Sequence, residues 1–426
     1  MDLRTLVKSP GVRNFTKLLS ANVVAQVIGL VVYPILTRIY APEDFGLLNL
    51  FLSIGGVLVI LSTAEYYYAI VLPKDHKDAA GVLGAGLLWL VVVTLLIAIS
   101  VVFARPISVL FKSPNLASYY WMMPIYVFAI GAWNLLNYWY IRKSNYNQIS
   151  QYQLTQNMLS AGGKLGFDWC GVFQGGMIYS VVFAPLISLF SSAFLQRKDW
   201  SSALRSVSWS SIRTLAVKYR NFPCFVLPRS FVNILAGQMP VLLLTPFFGG
   251  KAVGFLSIAI LLGYTPIGTI TRAVYQVMYQ QTMERVHHSQ PIGGMFWRFL
   301  LYASAVIIPL FVGLWFVLPD LTAWFLGEEW SLSGEYIRWM LPWLYVSLLS
   351  CSINYIFDVF MKQKWGLFFE LMLAAMRVVG LGVGVWAHDF MLAIICYSLA
   401  TALALVVQIV WMLTQVHTYD RSLSSC

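Results

Sequence analysis

Apolar segments about as long as a membrane-spanning helix recur along this chain of 426 residues, separated by short polar breaks. A helix needs about 20 apolar residues to cross a bilayer, and only helices and closed barrels satisfy their backbone hydrogen bonds there. About twelve such segments are present, and they would occupy roughly 240 residues. The pattern therefore predicts an all-α integral membrane protein with little chain left for a soluble domain.

The predicted spans lie near residues 17–38, 46–70, 82–103, 119–141, 152–169, 171–194, 222–246, 252–275, 299–318, 337–360, 366–387 and 390–413. The fifth span is the most polar, since Lys164 and Asp168 lie inside it. Composition supports the membrane class: 59% of residues are hydrophobic and 11% are charged. Soluble domains carry about 25% charged residues.

Lysine and arginine fall mainly on alternate breaks, which predicts the orientation in the membrane. The basic residues on one side are Arg4, Lys8, Arg13, Lys17, Lys74, Lys77, Arg142, Lys143, Arg197, Lys198, Arg205, Arg213, Lys218, Arg220, Lys362 and Lys364. Breaks rich in Lys and Arg face the cytoplasm, so both termini are predicted to be cytoplasmic. The net charge of +11 follows from this bias, and no nucleic-acid partner is expected.

The longest basic break divides the spans into two groups of six. We predict a six-helix bundle over 1–194, a basic cytoplasmic linker over 195–221 and a second six-helix bundle over 222–426. The linker is rich in serine and either forms a surface helix on anionic headgroups or is a solvated loop.

A weak internal likeness supports a duplicated, pseudo-symmetric unit. The matched pairs, all at one offset, are Thr37 with Thr245, Tyr40 with Phe248, and Gly46 with Gly254. Parallel repeats of this kind build a central cavity that rocks between inward-open and outward-open states.

Motifs of enzymes and cofactor sites are absent from the sequence. There is no GxxxxGK[ST] loop, no GxGxxG after a strand and no HExxH. The five cysteines are scattered without a CxxC pair, so neither a disulfide framework nor a metal site is indicated. We therefore expect a protein that is not an enzyme and needs no cofactor or metal.

Several patches, in order along most of the chain, resemble a known family. They are Pro34-Ile-Leu-Thr-Arg-Ile-Tyr-Ala-Pro-Glu-Asp-Phe-Gly46, Tyr68-Ala-Ile-Val-Leu-Pro73-Lys74-Asp75, Tyr219-Arg-Asn-Phe-Pro223 with Pro228, Gly254-Phe-Leu-Ser-Ile with Pro266, and Phe325-Leu-Gly-Glu-Glu-Trp330. Together they are similar to the O-antigen flippase (Wzx-type) branch of the multidrug/oligosaccharidyl-lipid/polysaccharide (MOP) exporters. One departure concerns Glu65, which stands where the family often has an arginine before this second patch.

The resemblance implies a MATE-like fold and a multi-pass position in the bacterial inner membrane. It also implies a flippase for a polyprenyl-pyrophosphate-linked oligosaccharide, a repeat unit of O-antigen or another surface polysaccharide. Transport would use alternating access and an ion gradient or removal of the product. Membrane lipids, a polysaccharide polymerase and a chain-length regulator are the expected partners. A cation-coupled multidrug exporter and a membrane polysaccharide polymerase remain as alternatives.

Charged residues inside the spans are the candidate site residues, because such charges are costly in lipid and usually face a polar cavity or one another. The basic candidates for a pyrophosphate and sugar cavity are Arg377, Arg229, Lys164, Arg272 and Arg38. Guanidinium groups bind phosphate oxygens through paired donors, although an ion pair of Arg377 with Glu370 is the structural alternative. The acidic candidates for ion coupling are Glu65, Asp168 and Glu370, since a desolvated carboxyl group can load and release a proton.

Overall fold

The computed structural model describes residues 32–169, 175–197, 200–201 and 207–424, without the side chains of Asp168 and Ser424. All regular structure in these residues is helical. In chain order the α-helices are α1 (32–39), α2 (Pro42–Thr63), α3 (Tyr66–Ala69), α4 (His76–Ser100), α5 (Ala104–Leu110), α6 (Pro114–Tyr119), α7 (Met123–Arg142), α8 (Tyr146–Trp169), α9 (Gly176–Leu195), α10 (Trp209–Lys218), α11 (Leu227–His287), α12 (Gly293–Leu326), α13 (Ser331–Ile353), α14 (Ile356–Val359), α15 (Gln363–Trp386) and α16 (Phe390–Ser424).

Eight helical segments in the described residues are long and apolar enough to cross a membrane: Pro42–Thr63, His76–Leu110, Gly176–Leu195, Phe222–His287, Gly293–Leu326, Glu328–Val359, Gln363–Trp386 and Phe390–Leu423. The all-helical, multi-pass class is therefore confirmed. Helices α7 and α8 cover the fourth and fifth predicted spans but are less apolar. Most of the first predicted span, 17–38, lies outside the described residues. The count of twelve spans and the cytoplasmic termini stay predictions.

Helix α11 joins the seventh and eighth predicted spans and is interrupted at Gly249. This residue has φ 80° and ψ 172°, a backbone conformation that is essentially open to glycine alone. The prolines inside α11 are tolerated because neighbouring helices can satisfy the backbone groups that a proline leaves without a hydrogen bond. Gly249 therefore sets the position of the break between the two arms.

The start of α2 explains one of the patches seen in the sequence. Ala41 is extended, Pro42 occupies the first turn, and the amide of Ala41 donates to Oδ2 of Asp44 at 3.1 Å. Proline fits the first helical position, and an acidic side chain there interacts favourably with the helix dipole. The Tyr-Ala-Pro-Glu-Asp run is thus a helix-start signal.

Two compact units make up the chain, Met1–Gln238 and Met239–Cys426. In the first unit, buried side chains from α3, α4, α7, α8 and α9 form one core. Trp133 stacks on Tyr152 there, with ring centroids 3.3 Å apart. The domain boundaries drawn from the sequence stay predictions.

The segment predicted as a linker contains α10, and α10 packs onto the first unit. Leu215 is 4% exposed and belongs to the core of that unit, whereas Trp209 is exposed. The hydroxyl of Tyr66 donates to the carbonyl oxygen of Ala216 at 3.2 Å. This part of the segment is therefore an amphipathic helix fixed to the bundle by its apolar face.

Arg142, at the end of α7, holds the turn that follows α3. Its guanidinium donates to the carbonyl oxygens of Pro73 at 2.5 Å and Lys74 at 3.0 Å, and more weakly to those of Asp75 and Ile70. These carbonyls belong to the second family-like patch of the sequence. That patch is thus a turn whose unpaired carbonyl groups are satisfied by one arginine.

Candidate functional site

Arg377 lies in α15 and faces α16. Its side chain is half-buried, and its guanidinium carbon is 5.9 Å from the ring centroid of Tyr397. The Nε atom is buried and has no hydrogen-bond partner among the described residues. A buried donor without a partner is rare in native proteins and calls for an explanation, such as a ligand or an ion.

Glycines bring α15 and α16 close enough for this contact. A Cβ atom added at Gly380 would lie 2.7 Å from the carbonyl oxygen of Cys396, and one added at Gly384 would overlap Ala393. Both glycines therefore allow the two backbones to touch, as small residues do between membrane helices. Because Gly380 is three residues from Arg377, the close approach also fixes the height of the guanidinium against Tyr397.

An aromatic wall from α11 and α13 completes the surroundings of Arg377. Tyr264 stacks on Trp343 at 5.7 Å with an interplanar angle of 9°, and Trp343 meets Tyr397 edge-to-face at 5.4 Å. Trp343 is 4% exposed, and its Nε1 atom has no hydrogen-bond partner in the described part of the chain. Tyr264 and Cys351 also interact electrostatically with Arg377. We call Tyr264, Trp343, Arg377 and Tyr397 the arginine–aromatic cluster.

Two buried N–H donors thus lie around the ring of Tyr397 without acceptors in the part of the chain that the structure describes. A guanidinium and an indole N–H together suit the oxygens of a phosphate group, since charge-assisted hydrogen bonds are short and strong. Flat aromatic faces beside them suit the apolar faces of a sugar or an amphipathic ligand. The cluster has the chemistry to bind an anionic, ring-bearing head group.

Two other predicted residues belong to the same unit. Arg272 is exposed, donates from Nε to the carbonyl oxygen of Gly268 at 3.3 Å, and interacts electrostatically with Tyr264. Glu370 is half-buried two helical turns before Arg377 and has interactions of its own. Arg272 therefore adds positive charge beside the cluster.

Glu65 occupies a strained break in the first unit. Ala64 and Glu65 both have left-handed backbone conformations, with φ 47° and 60°, and this region is unfavourable for residues with a Cβ atom. The carboxyl group is buried, with an exposed fraction of 1% for the residue. The hydroxyl groups of Tyr67 and Ser230 lie close to it, while Oε2 has no hydrogen-bond partner among the described residues. Buried polar groups and backbone strain of this kind concentrate at functional sites.

Three packed tyrosine rings lie next to Glu65. Tyr67, Tyr68 and Tyr138 have ring centroids 4.4 to 5.2 Å apart. Their hydroxyl groups interact in the order Glu65, Tyr67, Tyr68 and Tyr138, which leads from the buried carboxyl group to the exposed Tyr68. Glu65 thus has a polar connection to the surface of its unit.

The remaining predicted residues lie elsewhere in the first unit. Lys164 is half-buried, with Nζ 5.9 Å from the ring centroid of Tyr33, and its carbonyl oxygen accepts from the hydroxyl of Tyr40 at 2.7 Å. Arg38 and Arg229 are exposed. Asp168 lies in α8, but its side chain is outside the described part of the structure. No group of His, Cys, Asp and Glu suited to a metal ion occurs among the described residues.

Comparison with known proteins identifies the family of the chain. Residues 35–334, more than half of its length, match the family model described as "Polysaccharide biosynthesis protein". The chain belongs to this family. Among curated proteins, the succinoglycan biosynthesis transport protein ExoT of Rhizobium meliloti (strain 1021) is 22% identical over 315 residues. That alignment covers 71% of this chain and 59% of ExoT, so the chain spans less than two thirds of this relative.

Solved structures agree on the fold. An inward-facing multidrug resistance MATE family transporter of the MOP superfamily superimposes with a TM-score of 0.74 at 14% identity, over 93% of this chain and 96% of that one. The lipid II flippase MurJ, in an inward closed conformation, gives 0.65 at 12% identity, over 96% and 89%. The predicted MATE-like fold and the polysaccharide biosynthesis family are thus confirmed. Family and fold together are those of a multi-pass membrane protein of the polysaccharide biosynthesis family.

Proposed function

We propose that the chain flips a polyprenyl-pyrophosphate-linked oligosaccharide, a repeat unit of O-antigen or another surface polysaccharide, across the bacterial inner membrane. The observation that carries this proposal is the pair of buried, unpartnered donors at Arg377 and Trp343. Family membership and the transport named for the succinoglycan relative support it. The fold shared with a lipid II flippase is compatible with the same class of substrate.

In this proposal the pyrophosphate accepts hydrogen bonds from Arg377 Nε and Trp343 Nε1, and Arg272 adds attraction at the exposed edge of the cluster. The first sugar lies against Tyr264 or Tyr397, while the polyprenyl tail stays in lipid. No bond is made or broken, so the protein acts by alternating access and not as an enzyme. A polymerase and a chain-length regulator would receive the product.

For coupling we propose that an ion gradient acts on an acidic side chain, with Glu65, Asp168 and Glu370 as candidates. Glu65 has the strongest support because it is buried, partly unpartnered and connected to the surface through tyrosines. In proteoliposomes, Glu65→Gln should remove the response of flipping to a pH gradient, and Glu328→Gln, at an exposed acid, should keep it. An unchanged response in Glu65→Gln would exclude Glu65 as the coupling group.

The experiment that tests the function uses cells depleted of the chain and complemented with variants. With the empty vector or with Arg377→Gln, complete lipid-linked repeat units should accumulate on the cytoplasmic leaflet and surface polysaccharide should be lost. Wild type and Arg105→Gln, at an exposed arginine of α5, should restore export. Normal units on the outer leaflet of depleted cells would overturn the proposal and favour a drug exporter or a polymerase.

A further inference from the structure

The outer face of α10 is a surface to which the transport proposal assigns no role. Trp209 and Val217 are 70% and 58% exposed, and Arg213 between them is exposed as well. These three residues are spaced four positions apart, so their side chains are neighbours along one side of the helix. The exposed Arg220 follows in the next turn, where its amide donates to the carbonyl oxygen of Val217 at 3.2 Å. We call Trp209, Arg213, Val217 and Arg220 the α10 stripe.

Two contacts of α10 with the first unit fix which side of the helix faces outward. The buried side chain of Leu215 packs on α4, where a Cβ atom added at Gly81 would overlap it. The hydroxyl of Tyr66 donates to the carbonyl oxygen of Ala216 at 3.2 Å. Since Leu215 is two residues from Val217, the two side chains are about 200° apart around the helix axis. The α10 stripe therefore points away from the bundle.

The contacts of α10 also place it at the boundary of the membrane. Tyr66 and Gly81 lie at the two sides of the turn between the second and third predicted spans. The pattern of positive charge predicts that this turn is cytoplasmic. Directly after the α10 stripe the chain enters the seventh predicted span, 222–246, where Phe225 is 72% exposed. A helix held between these two points lies at the level of the lipid headgroups.

The surface around the α10 stripe has a net positive charge. Residues 207–230 contain four basic side chains and no aspartate or glutamate, and residues 195–206 contain three basic side chains and one acidic one. The adjoining turn, residues 71–81, carries two lysines and two aspartates and so adds no net charge. Lys218, next to the stripe, is exposed and lies 5.6 Å from the ring centroid of Tyr219. The positive charge is therefore not cancelled by the acids of the neighbouring turn.

We propose that the α10 stripe binds the anionic phospholipid headgroups of the adjoining leaflet. Arg213 and Arg220 contact lipid phosphates, and the side chains of Trp209 and Val217 insert beside the first acyl carbons. Basic residues at this level are attracted by the negative surface potential of the membrane, and tryptophan is enriched there because its ring is amphipathic. Apolar and basic side chains that alternate along one helix side match this layer, since it offers both environments at nearly one depth. Of the two alternatives drawn from the sequence, this proposal selects the surface helix.

The test uses the purified full chain in liposomes that contain a photoactivatable analogue of phosphatidylglycerol or of phosphatidylcholine. After illumination, the protein is digested with a protease that does not cut at lysine or arginine, and crosslinked peptides are mapped by mass spectrometry. In wild type, peptides that contain residues 209–220 should crosslink phosphatidylglycerol about five-fold or more over phosphatidylcholine. In Arg213→Gln/Arg220→Gln, their crosslinking to phosphatidylglycerol should fall by about ten-fold, as expected for the loss of two basic contacts.

The matched control is Arg105→Gln/Lys112→Gln, which removes two exposed basic residues beyond the other end of α4 and should crosslink like wild type. An equal yield with phosphatidylcholine, or an unaffected Arg213→Gln/Arg220→Gln variant, would overturn the proposal. A lack of crosslinks to residues 209–220 with both lipids would also overturn it, by showing that the stripe faces water or a protein partner. None of these readouts depends on flipping, so they stand apart from the test of the transport proposal.

A second variant tests the apolar half of the contact. Trp209→Ser/Val217→Ser should lower the crosslinking of residues 209–220 to both lipids, because the inserted side chains are lost while the basic ones remain. Both residues are exposed, so the midpoint of thermal unfolding in detergent should stay that of wild type. Unchanged crosslinking in this variant would contradict the insertion of Trp209 and Val217 into the membrane.

Discussion

At the scale of single residues, the buried donors around Tyr397 are the most informative feature of the chain. Arg377 was predicted from sequence because a charge in the middle of an apolar span is costly unless it has a role. Trp343 was not predicted, since most tryptophans in a membrane protein lie at interfaces or in lipid. Its contact with Tyr397, against which Arg377 also lies, depends on how α13, α15 and α16 pack, and no spacing along the chain reports that packing.

The substitution Trp343→Phe distinguishes a role of Trp343 in substrate binding from a role in protein stability. The change keeps the ring that stacks on Tyr264 but removes the unpartnered N–H, so the free energy of unfolding should stay the same or rise slightly. Flipping in proteoliposomes should fall by about ten-fold or more, because a hydrogen bond to a charged group contributes about 1.5–3 kcal/mol.

The control is Trp339→Phe on the same helix, where the ring of Trp339 packs edge-to-face on Trp315 at 5.1 Å. This variant should flip substrate like wild type. An equal loss of flipping in both variants would mean that Trp343 acts only through packing.

Arg142→Ala tests the turn after α3. Loss of the guanidinium leaves the carbonyl groups of Pro73 and Lys74 without their donor, so stability should fall by about 1–3 kcal/mol. Thermal unfolding of the purified protein measures this. The control Lys77→Ala removes an exposed positive charge nearby and should leave the midpoint of thermal unfolding within the error of wild type. A similar drop of the midpoint in both variants would show that the loss of net charge is the cause.

At the scale of helices, length and hydropathy explain what the sequence could predict. The apolar runs in α12 and α16 mark spans, but both helices continue past the predicted ends, to Leu326 and Ser424. Helix α8 contains Gln148, Gln151, Gln153, Gln156 and Asn157, so its place in the bundle follows from packing against α9 and not from hydropathy. The strained break at Glu65 has no signal in the sequence apart from the acid itself.

Because α15 packs closely on α16, substitutions at different glycines of α15 should differ in how much they lower stability. Gly380→Leu and Gly384→Leu should each lower stability by about 1–3 kcal/mol or more, because the new side chains meet the backbone of α16. Gly382→Leu should cost little, since a Cβ atom there meets nothing within 4 Å.

Thermal unfolding ranks the three variants, and flipping assays should follow the same order because the approach of α16 positions Tyr397 against Arg377. A drop for Gly382→Leu as large as for Gly384→Leu would show that the helix faces are assigned wrongly.

The C-terminal ends of α7 and α14 form the same type of turn, and a substitution in each turn is expected to stabilise the protein. Ser144 after α7 and Met361 after α14 both have φ 55°, and the amides of Asn145 and Lys362 bond five residues back at 2.9 and 2.7 Å. Glycine is favoured at such left-handed positions. Ser144→Gly and Met361→Gly should therefore raise stability by up to about 1 kcal/mol. The control Ser150→Gly, inside α8, should lower stability. If thermal unfolding places all three variants below wild type, the assignment of left-handed turns at Ser144 and Met361 is contradicted.

At the scale of the whole molecule, the sequence predicts the membrane class and the family well. Spans follow from segment length, and the polysaccharide family follows from ordered patches such as the start of α2 and the turn held by Arg142. Those patches prove to be helix starts and turns, which explains why they identify the fold but do not identify the ligand. The proposed ligand-binding chemistry lies in side chains from α11, α13, α15 and α16 that meet only after folding.

The central claim is that the arginine–aromatic cluster binds the pyrophosphate during flipping. The most direct measurement reconstitutes the chain with a polyprenyl-pyrophosphate-linked oligosaccharide and follows how fast the oligosaccharide becomes accessible on the opposite leaflet. Wild type and Arg105→Gln should accelerate this step, and Arg377→Gln should slow it by about 30-fold or more, as expected for loss of a charge-assisted contact. Flipping by Arg377→Gln at the wild-type rate would contradict the account.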